Sequence, residues 1–292
     1  MTGFRTERVV PLPSRMHYDE LLRRELALDL GVAGDVTTKA LIPEQTTAKG
    51  RIVARGPGRV CGLRCALWAF DAVGSVTVTI ENDDGADVEA GTVVAIVAGA
   101  AQTVLTAERT ALNLLSHLSG VATATRDLVT VVATKGTARV VCTRKTTPGL
   151  RALEKYAVRV GGGWNHRFGL YDGVLIKDNH LVLAGGVTAA IAKIRATQGH
   201  MVKVEVEVDT LAQLDEALSA GADAVLLDNM TPADLELAVN RAEGRVITEA
   251  SGGISAHTIG QVAATGIDII SVGWITHSAP ALDFGLDVDP VI

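Results

Sequence analysis

Aromatic side chains make up only 3% of this 292-residue sequence. That scarcity argues against the stacking platforms on which proteins hold single-stranded nucleic acid. Positive charge is not in excess either: 27 Lys and Arg face 33 Asp and Glu, a formal net charge of −6. A general nucleic-acid binder needs a basic surface, so any anion site must be a local pocket. The three cysteines, Cys61, Cys65 and Cys142, are too few for a disulfide framework. Cys61 and Cys65 could pass for half a zinc site, but no second Cys/His pair completes it, and they read as thiols. No apolar run approaches the roughly 20 residues of a membrane span. Residues 1–30 lack the apolar core of a secretory signal. The expected setting is cytoplasmic, with small-molecule partners and neither nucleic acid nor membrane.

What the chain does have is bulk apolar material, 48% of its residues, and length enough for two domains or one enlarged barrel. Residues 17–30 carry apolar positions at helical spacing (Tyr18, Leu21, Leu22, Leu26) up to Gly31. Residues 46–104 change character to short alternating strands with turns at Asp84-Gly85 and Ala90-Gly91. Asp84 to Val97 resembles a lipoyl-type sandwich without its modifiable lysine, and reads as a β scaffold. Residues 106–133 form one long helical stretch, with a leucine stripe at Leu112, Leu115 and Leu118. Arg109, Asn113, His117 and Gly120 lie near its other side.

From Arg139 onward one unit repeats: a short apolar strand, a charged or glycine-rich tip, then a helix. The strands are expected at Arg139–Thr143, Gly173–Ile176, Val202–Val208, Ala224–Leu227, Arg245–Thr248 and Asp268–Val272. Thr210 to Gln213 fits a capping box, and Thr231-Pro232 places proline in a first helical turn. Parallel strands joined by helices give a barrel or an open sheet. The absence of a GxGxxG turn favours the barrel. In either fold the strand tips converge on one face, where ligands bind.

Those tips carry the chemistry. Lys203, Glu205, Glu207 and Asp209 alternate with valines, so period-two geometry turns all four charges to one face. Lys203 with Glu205 reads equally as a buried structural ion pair, whereas Glu207 lies near the open end. Glu207 and Asp228 are hard oxygen donors suited to magnesium, directly, through water or through substrate hydroxyls. The bland alternative is a pair of solvated carboxylates. Ser251-Gly252-Gly253 and Val272-Gly273 stand where backbone N–H groups bind phosphate in many barrels. Arg144-Lys145, His166-Arg167 and Lys177 add cations, the arginines with forks that match carboxylates.

Taken in order, several motifs resemble quinolinate phosphoribosyltransferase. They are Glu108 to Asn113, Thr143 to Gly149, Gly162 to Arg167, Ile176 to His180, Glu205 to Asp209, Leu227 to Asn229, Glu249 to Gly253 and Thr276 to Ser278. The likeness runs from about Asp35 to the end of the chain. It implies an N-terminal α/β sandwich over residues 1–115, helped by the tail 279–292, and an incomplete TIM-like α/β barrel over 116–278. The implied reaction joins quinolinate to phosphoribosyl pyrophosphate with Mg²⁺, giving nicotinate mononucleotide, CO₂ and pyrophosphate in NAD biosynthesis. Thr143, Arg144, His166 and Arg167 would then hold quinolinate, with Arg109 of a neighbouring subunit. Lys145 and Lys177 would lie between the ring and the pyrophosphate, with Lys145 delivering the final proton. Glu207 and Asp228 would serve ribose hydroxyls and magnesium. Ser251, Gly252, Gly253, Val272, Gly273, Trp274 and His277 would surround the phosphate. The oligomer would be a homodimer, with a hexamer of dimers left open.

Trp274 departs from the family's usual small residue, which leaves the shape of the phosphate loop open. Two other readings stand beside this one: a pyrophosphorylase-like relative associated with molybdate transport, and a non-catalytic barrel that binds sugar phosphates. The intact Lys177-Asp178-Asn179-His180 motif weighs against the first, and the retained acids and lysines against the second. An aldolase would want a lysine in an apolar pocket, whereas Lys145 and Lys177 sit among cations.

Overall fold

The computed structural model describes residues 10–289. Residues 1–9 and 290–292, parts of the expected N-terminal domain and its tail, lie outside the described residues. The chain forms two compact units, each drawn from separate stretches of sequence. The first comprises Met1–Ala124, Thr146–Gly162 and Ser278–Ile292; the second, Thr125–Lys145 and Gly163–His277. A linear division at 115/116 is therefore coarser than the compaction, because residues 146–162 pack with the first unit.

The first unit is an antiparallel sheet covered by helices. Its strand order is Phe284–Val288, Thr47–Ala54, Val93–Ala100, Val76–Ile80, so the last strand of the chain pairs beside one of the first. The helix Leu63–Val73 buries Leu63, Cys65, Ala66, Leu67, Ala69 and Phe70. Asp84 caps it: one carboxylate oxygen accepts from Leu63 N–H, and the other from Gly62 N–H and the Tyr156 hydroxyl. This is the helix N-terminal pattern in which side-chain oxygens satisfy backbone donors left over by the ladder. Cys61 and Cys65 are buried thiols there, and burial pushes the Cys65 thiol up to about 12. Glu154, fully buried in the helix Arg151–Val160, accepts from His117 Nε2 at 2.9 Å and from Thr147 N–H at 3.0 Å.

The long helix spans Ala101–Ala133, starting five residues before the apolar pattern marks it. Gly120 shows why its sequence is small there. A Cβ at Gly120 would fall 2.2 Å from the Pro280 carbonyl and 2.9 Å from Ala281 Cα.

The second unit carries a seven-stranded sheet in which every pairing is parallel. Its order is Trp164–Asn165, Arg139–Cys142, Ile269–Ser271, Ile247–Ser251, Ala224–Asp228, Val204–Val208, Val174–Ile176. The two outer strands do not pair with each other, so the barrel is incomplete. The strand Trp164–Asn165, directly after three glycines and only two residues long, is too short to leave a period in the sequence. Val204, Val206 and Val208 are fully buried, as alternation requires. Both helix starts read from the sequence are present: the capping box at Thr210 and Gln213, and Pro232 opening the helix after Thr231.

Two readings are corrected. The strand expected at Arg245–Thr248 runs instead over Ile247–Ser251, because Arg245 turns back to the Arg241 and Ala242 carbonyls and finishes the preceding helix. The pair Lys203–Glu205 does not form: exposed Lys203 reaches Asp223 at 3.1 Å, while Glu205 turns to His166.

Replacing Gly120 by alanine should cost about 1–3 kcal/mol, the usual scale of overpacking against backbone that cannot yield. Denaturant unfolding of the whole chain measures it. Wild-type stability would mean that the Pro280-Ala281 backbone gives way.

Candidate active site

The strand tips of the second unit enclose a cavity of about 570 Å³. Register explains its acidic floor. Leu226 lies opposite both Glu207 and Glu249 in the flanking strands, so the three side chains project at one level. One level further along, Asp228 lies opposite Ser251. Cations come from the loops: Thr143-Arg144-Lys145, His166-Arg167 and Lys177 all line the same space.

Few of those cations are neutralised by the protein. Among the described residues, Arg144 and Lys145 form no ion pair, and Arg144 Nε is buried without a hydrogen-bond partner. Arg167 donates one N–H to the Gly173 carbonyl. Burial, reinforced by the Arg144 charge, holds its guanidinium below the usual arginine range. Of the lysines and arginines lining the cavity, Lys177 alone forms an ion pair among the described residues, its ammonium 2.5 Å from Glu207 Oε2. Arg144 and Arg167 are half-buried and Lys145 is exposed beside them. Cations drawn partly out of water cost free energy unless something compensates them, so this cavity suits an anion with several oxygens.

A second cluster lies at the edge of the cavity. His166 Nε2 stands 2.9 Å from Glu205 Oε2 and 3.7 Å from Glu249 Oε1. His166 Nδ1 accepts from the Arg167 N–H at 2.7 Å, so both ring nitrogens are engaged. His166 can reach a substrate carboxylate only by loosening one of them. Glu249 is 2% exposed, and its Oε1 has no hydrogen-bond partner. Burial, with the nearby Glu205 charge, pushes its carboxyl up to about 8. His166, Glu205 and Glu249 bring potential ligand atoms within 4.8 Å of one another, but a hydrogen bond and a retained proton already account for that closeness.

The glycine loops meet beside the cavity. Ser251, Gly252 and Gly253 line it, both glycines at positive φ (93° and 59°). Gly273 approaches Lys145 and Thr143 so closely that a Cβ would lie 3.1 Å from Lys145 Cδ and 3.6 Å from Thr143 Oγ1. His277 Nε2 would lie 3.8 Å from the same Cβ. Val272 is corrected: its N–H donates to the Val141 carbonyl and its side chain is buried, so it offers no donor to a phosphate. Trp274 accounts for its own departure from the family pattern, since its indole N–H donates to the Ile254 carbonyl at 3.2 Å and ties the two loops together. The Thr276 hydroxyl holds the Lys145 carbonyl at 2.6 Å. Arg109 belongs to the first unit and is exposed, 3.7 Å from Glu108; it does not line the cavity.

Sequence reasoning missed the pairing of Glu205 with His166 and gave Asn229 no role, although it lines the cavity. The signal for Asn229 was its place in the Leu227-Asp228-Asn229 motif, directly after a strand-end aspartate.

An incomplete parallel barrel, with unneutralised cations, a pair of acids and glycine loops at its strand tips, defines an enzyme that handles a polyanionic phosphate ester. Comparison with known proteins narrows the class. Residues 121–287 match the family model for the quinolinate phosphoribosyl transferase C-terminal domain, and residues 35–119 match that for its N-terminal domain. The chain belongs to the quinolinate phosphoribosyl transferase family. It is 45% identical to the nicotinate-nucleotide pyrophosphorylase [carboxylating] of Mycobacterium leprae, over 92% of this chain and 96% of that one. It is 37% identical to a quinolinate phosphoribosyltransferase [decarboxylating] of Nicotiana tabacum, over 96% and 85%. The nicotinate-nucleotide pyrophosphorylase structure from Francisella tularensis superposes with a TM-score of 0.91 at 38% identity, covering 97% of this chain and 100% of that one. Among the described residues, no helix is long and apolar enough to cross a membrane.

Glu249 gives a pH test. Its carboxyl keeps its proton in the folded state up to about pH 8, while the unfolded chain gives it up near its ordinary value of 4.5. Unfolding therefore becomes easier as pH rises through that window, and the penalty is constant above it. Glu249→Gln should remove this slope, gaining several degrees of unfolding temperature over wild type at pH 8 and little at pH 5. Parallel curves would mean that Glu249 is ionised in the fold.

Proposed function

We propose that this protein transfers the phosphoribosyl group of phosphoribosyl pyrophosphate to quinolinate with decarboxylation, yielding nicotinate mononucleotide, CO₂ and pyrophosphate. The observation that carries this reading is the set of uncompensated cations, Arg144, Lys145 and Arg167, facing Glu207 and Asp228 across one cavity. Quinolinate brings two carboxylates and the donor brings a pyrophosphate, so both substrates supply the missing negative charge.

Arg144 and Arg167 grip the quinolinate carboxylates, with Thr143 beside them. His166 supports Arg167 through its backbone N–H and offers its ring to the second carboxylate. The pyridine nitrogen then attacks the ribose C1 as the bond to pyrophosphate breaks. Glu207 and Asp228 accept from ribose hydroxyls and stabilise the positive charge that develops on the sugar. Lys177, held by Glu207, and Lys145 face the departing pyrophosphate. Glycine backbone at Ser251–Gly253, with Gly273, Trp274 and His277 alongside, receives the 5′-phosphate. Once the nitrogen is cationic, the bond from C2 to its carboxylate breaks, CO₂ leaves, and the electron pair stays at C2. Lys145, whose ammonium no carboxylate of the described residues holds, is the proposed donor of the proton that C2 then takes.

Glu207 and Asp228, which line one cavity, fit Mg²⁺ as hard oxygen ligands. When bound, the ion would neutralise charge on the pyrophosphate. Arg109, exposed on the first unit, is assigned to the neighbouring active site of a homodimer in the cytoplasm. No observation favours the molybdate-associated or sensor readings.

Assay with quinolinate, phosphoribosyl pyrophosphate and Mg²⁺ should give nicotinate mononucleotide and CO₂ in equal amounts, and nicotinate should give none. No product from quinolinate would sink the reading. Arg144→Ala should raise KM for quinolinate about 100-fold, the scale of losing one desolvated charge pair, and change KM for the donor far less. Equal losses for both would contradict its assignment. If the site is shared, a mixture of exchanged Arg109→Ala and Glu207→Ala subunits should recover about a quarter of wild-type activity, because half the dimers then hold one intact site. No recovery would place Arg109 in its own subunit's chemistry or in none.

A further inference from the structure

Asn229 follows Asp228 at the end of its strand and makes three separate contacts. Its backbone adopts φ 54°, one of two non-glycine residues at positive φ among the described residues. Asparagine tolerates this region better than most residues do, and here the conformation turns the chain so that backbone and side chain serve different partners. The amide Nδ2 donates to Asp228 Oδ2 at 2.6 Å. The backbone N–H donates to the Ser251 carbonyl at 2.9 Å, continuing the pairing of the two strands into the loops. The side-chain carbonyl lies directly against Gly252. A Cβ at that glycine would fall 2.2 Å from Asn229 Oδ1 and 2.6 Å from Cγ.

One residue thus fixes the rotamer of a carboxylate on one side and the seat of a glycine loop on the other. Asp228 could otherwise rotate freely: it is half-buried, and Asn229 is the side chain seen to hold it. Gly252 could otherwise relax, since glycine at φ 93° has the widest conformational choice.

We propose that Asn229 is a positioning residue that couples Asp228 to the Ser251–Gly253 loop, so that the sugar-binding and phosphate-binding parts of the donor site are set as one unit. The proposal rests on the phosphoribosyl-transfer reading above and deepens it. The quinolinate end of the cavity, held by Arg144 and Arg167, does not depend on Asn229. The device acts on one substrate only.

Asn229→Gly keeps the positive φ without strain and removes only the side chain. Asn229→Asp keeps shape and backbone but loses the donor to Asp228 and sets two like charges side by side. For the full-length protein, affinity for phosphoribosyl pyrophosphate with Mg²⁺ and affinity for quinolinate are measured separately by calorimetry, alongside both KM values, kcat and unfolding temperature. In Asn229→Gly, donor affinity should fall about tenfold, the scale of one hydrogen bond to a charged group, with quinolinate affinity and unfolding temperature held at wild-type values. Asn229→Asp should be weaker still toward the donor. A partner test uses Gly252→Ala: combined with Asn229→Gly, it should lose less than the sum of the single losses, because both changes disturb one contact. Wild-type donor affinity in both Asn229 variants, or equal loss of both ligands with a lowered unfolding temperature, overturns the proposal. An unaltered protein that fails to bind phosphoribosyl pyrophosphate overturns the functional reading and this inference with it. Failure confined to the variants' predicted pattern overturns the inference alone.

Discussion

Arg144, Lys145 and Arg167 line one cavity, and the charge of Arg144 acts against that of half-buried Arg167, where less water screens it. Everything around them answers that repulsion. The Gly173 carbonyl takes one N–H of Arg167, while the Thr276 hydroxyl donates to the Lys145 backbone carbonyl and fixes the chain that carries the ammonium. Glu205 and Glu207 are spent on His166 and Lys177 rather than on the arginines. The remaining positive charge is left for the substrates. Binding an anion here both relieves the repulsion and orients the bound group, so part of the selectivity is already present in the empty protein.

The acids show how much a single register can accomplish. Because Glu207, Leu226 and Glu249 share one level across three parallel strands, two acids flank one leucine while their environments differ. Glu207 has an ammonium partner and faces the cavity. Glu249 has neither solvent nor a hydrogen bond for Oε1, and it keeps a proton. Two glutamates on equivalent rungs therefore sit in different surroundings, one against an ammonium and one where burial favours the neutral acid.

The sequence made the repeating strand–tip–helix pattern readable because valine alternation and capping residues are local signals. The charged tips were legible for the same reason: Lys177, Glu207 and Asp228 each close an apolar strand. What could not be read was anything that depends on which strands become neighbours. His166 meets Glu205 across 39 positions, although their strands stand first and sixth in the sheet and do not pair, so only the curling of the sheet into a barrel brings them together. The strand Trp164–Asn165 is too short for periodicity, and Arg245 looked like a strand residue until its side chain closed a helix. Val272 was misjudged because the use of its N–H by Val141 is a pairing fact, invisible in composition.

The strand Phe284–Val288 seals one edge of the antiparallel sheet by pairing with Thr47–Ala54. It is made only after the whole parallel sheet has been synthesised. During translation the early strand must wait with that edge open, while more than two hundred intervening residues emerge and fold. The second unit's central strands can close as they appear, but the first unit must finish late. An exposed edge is a template for mispairing, so the nascent chain is most vulnerable in its oldest part.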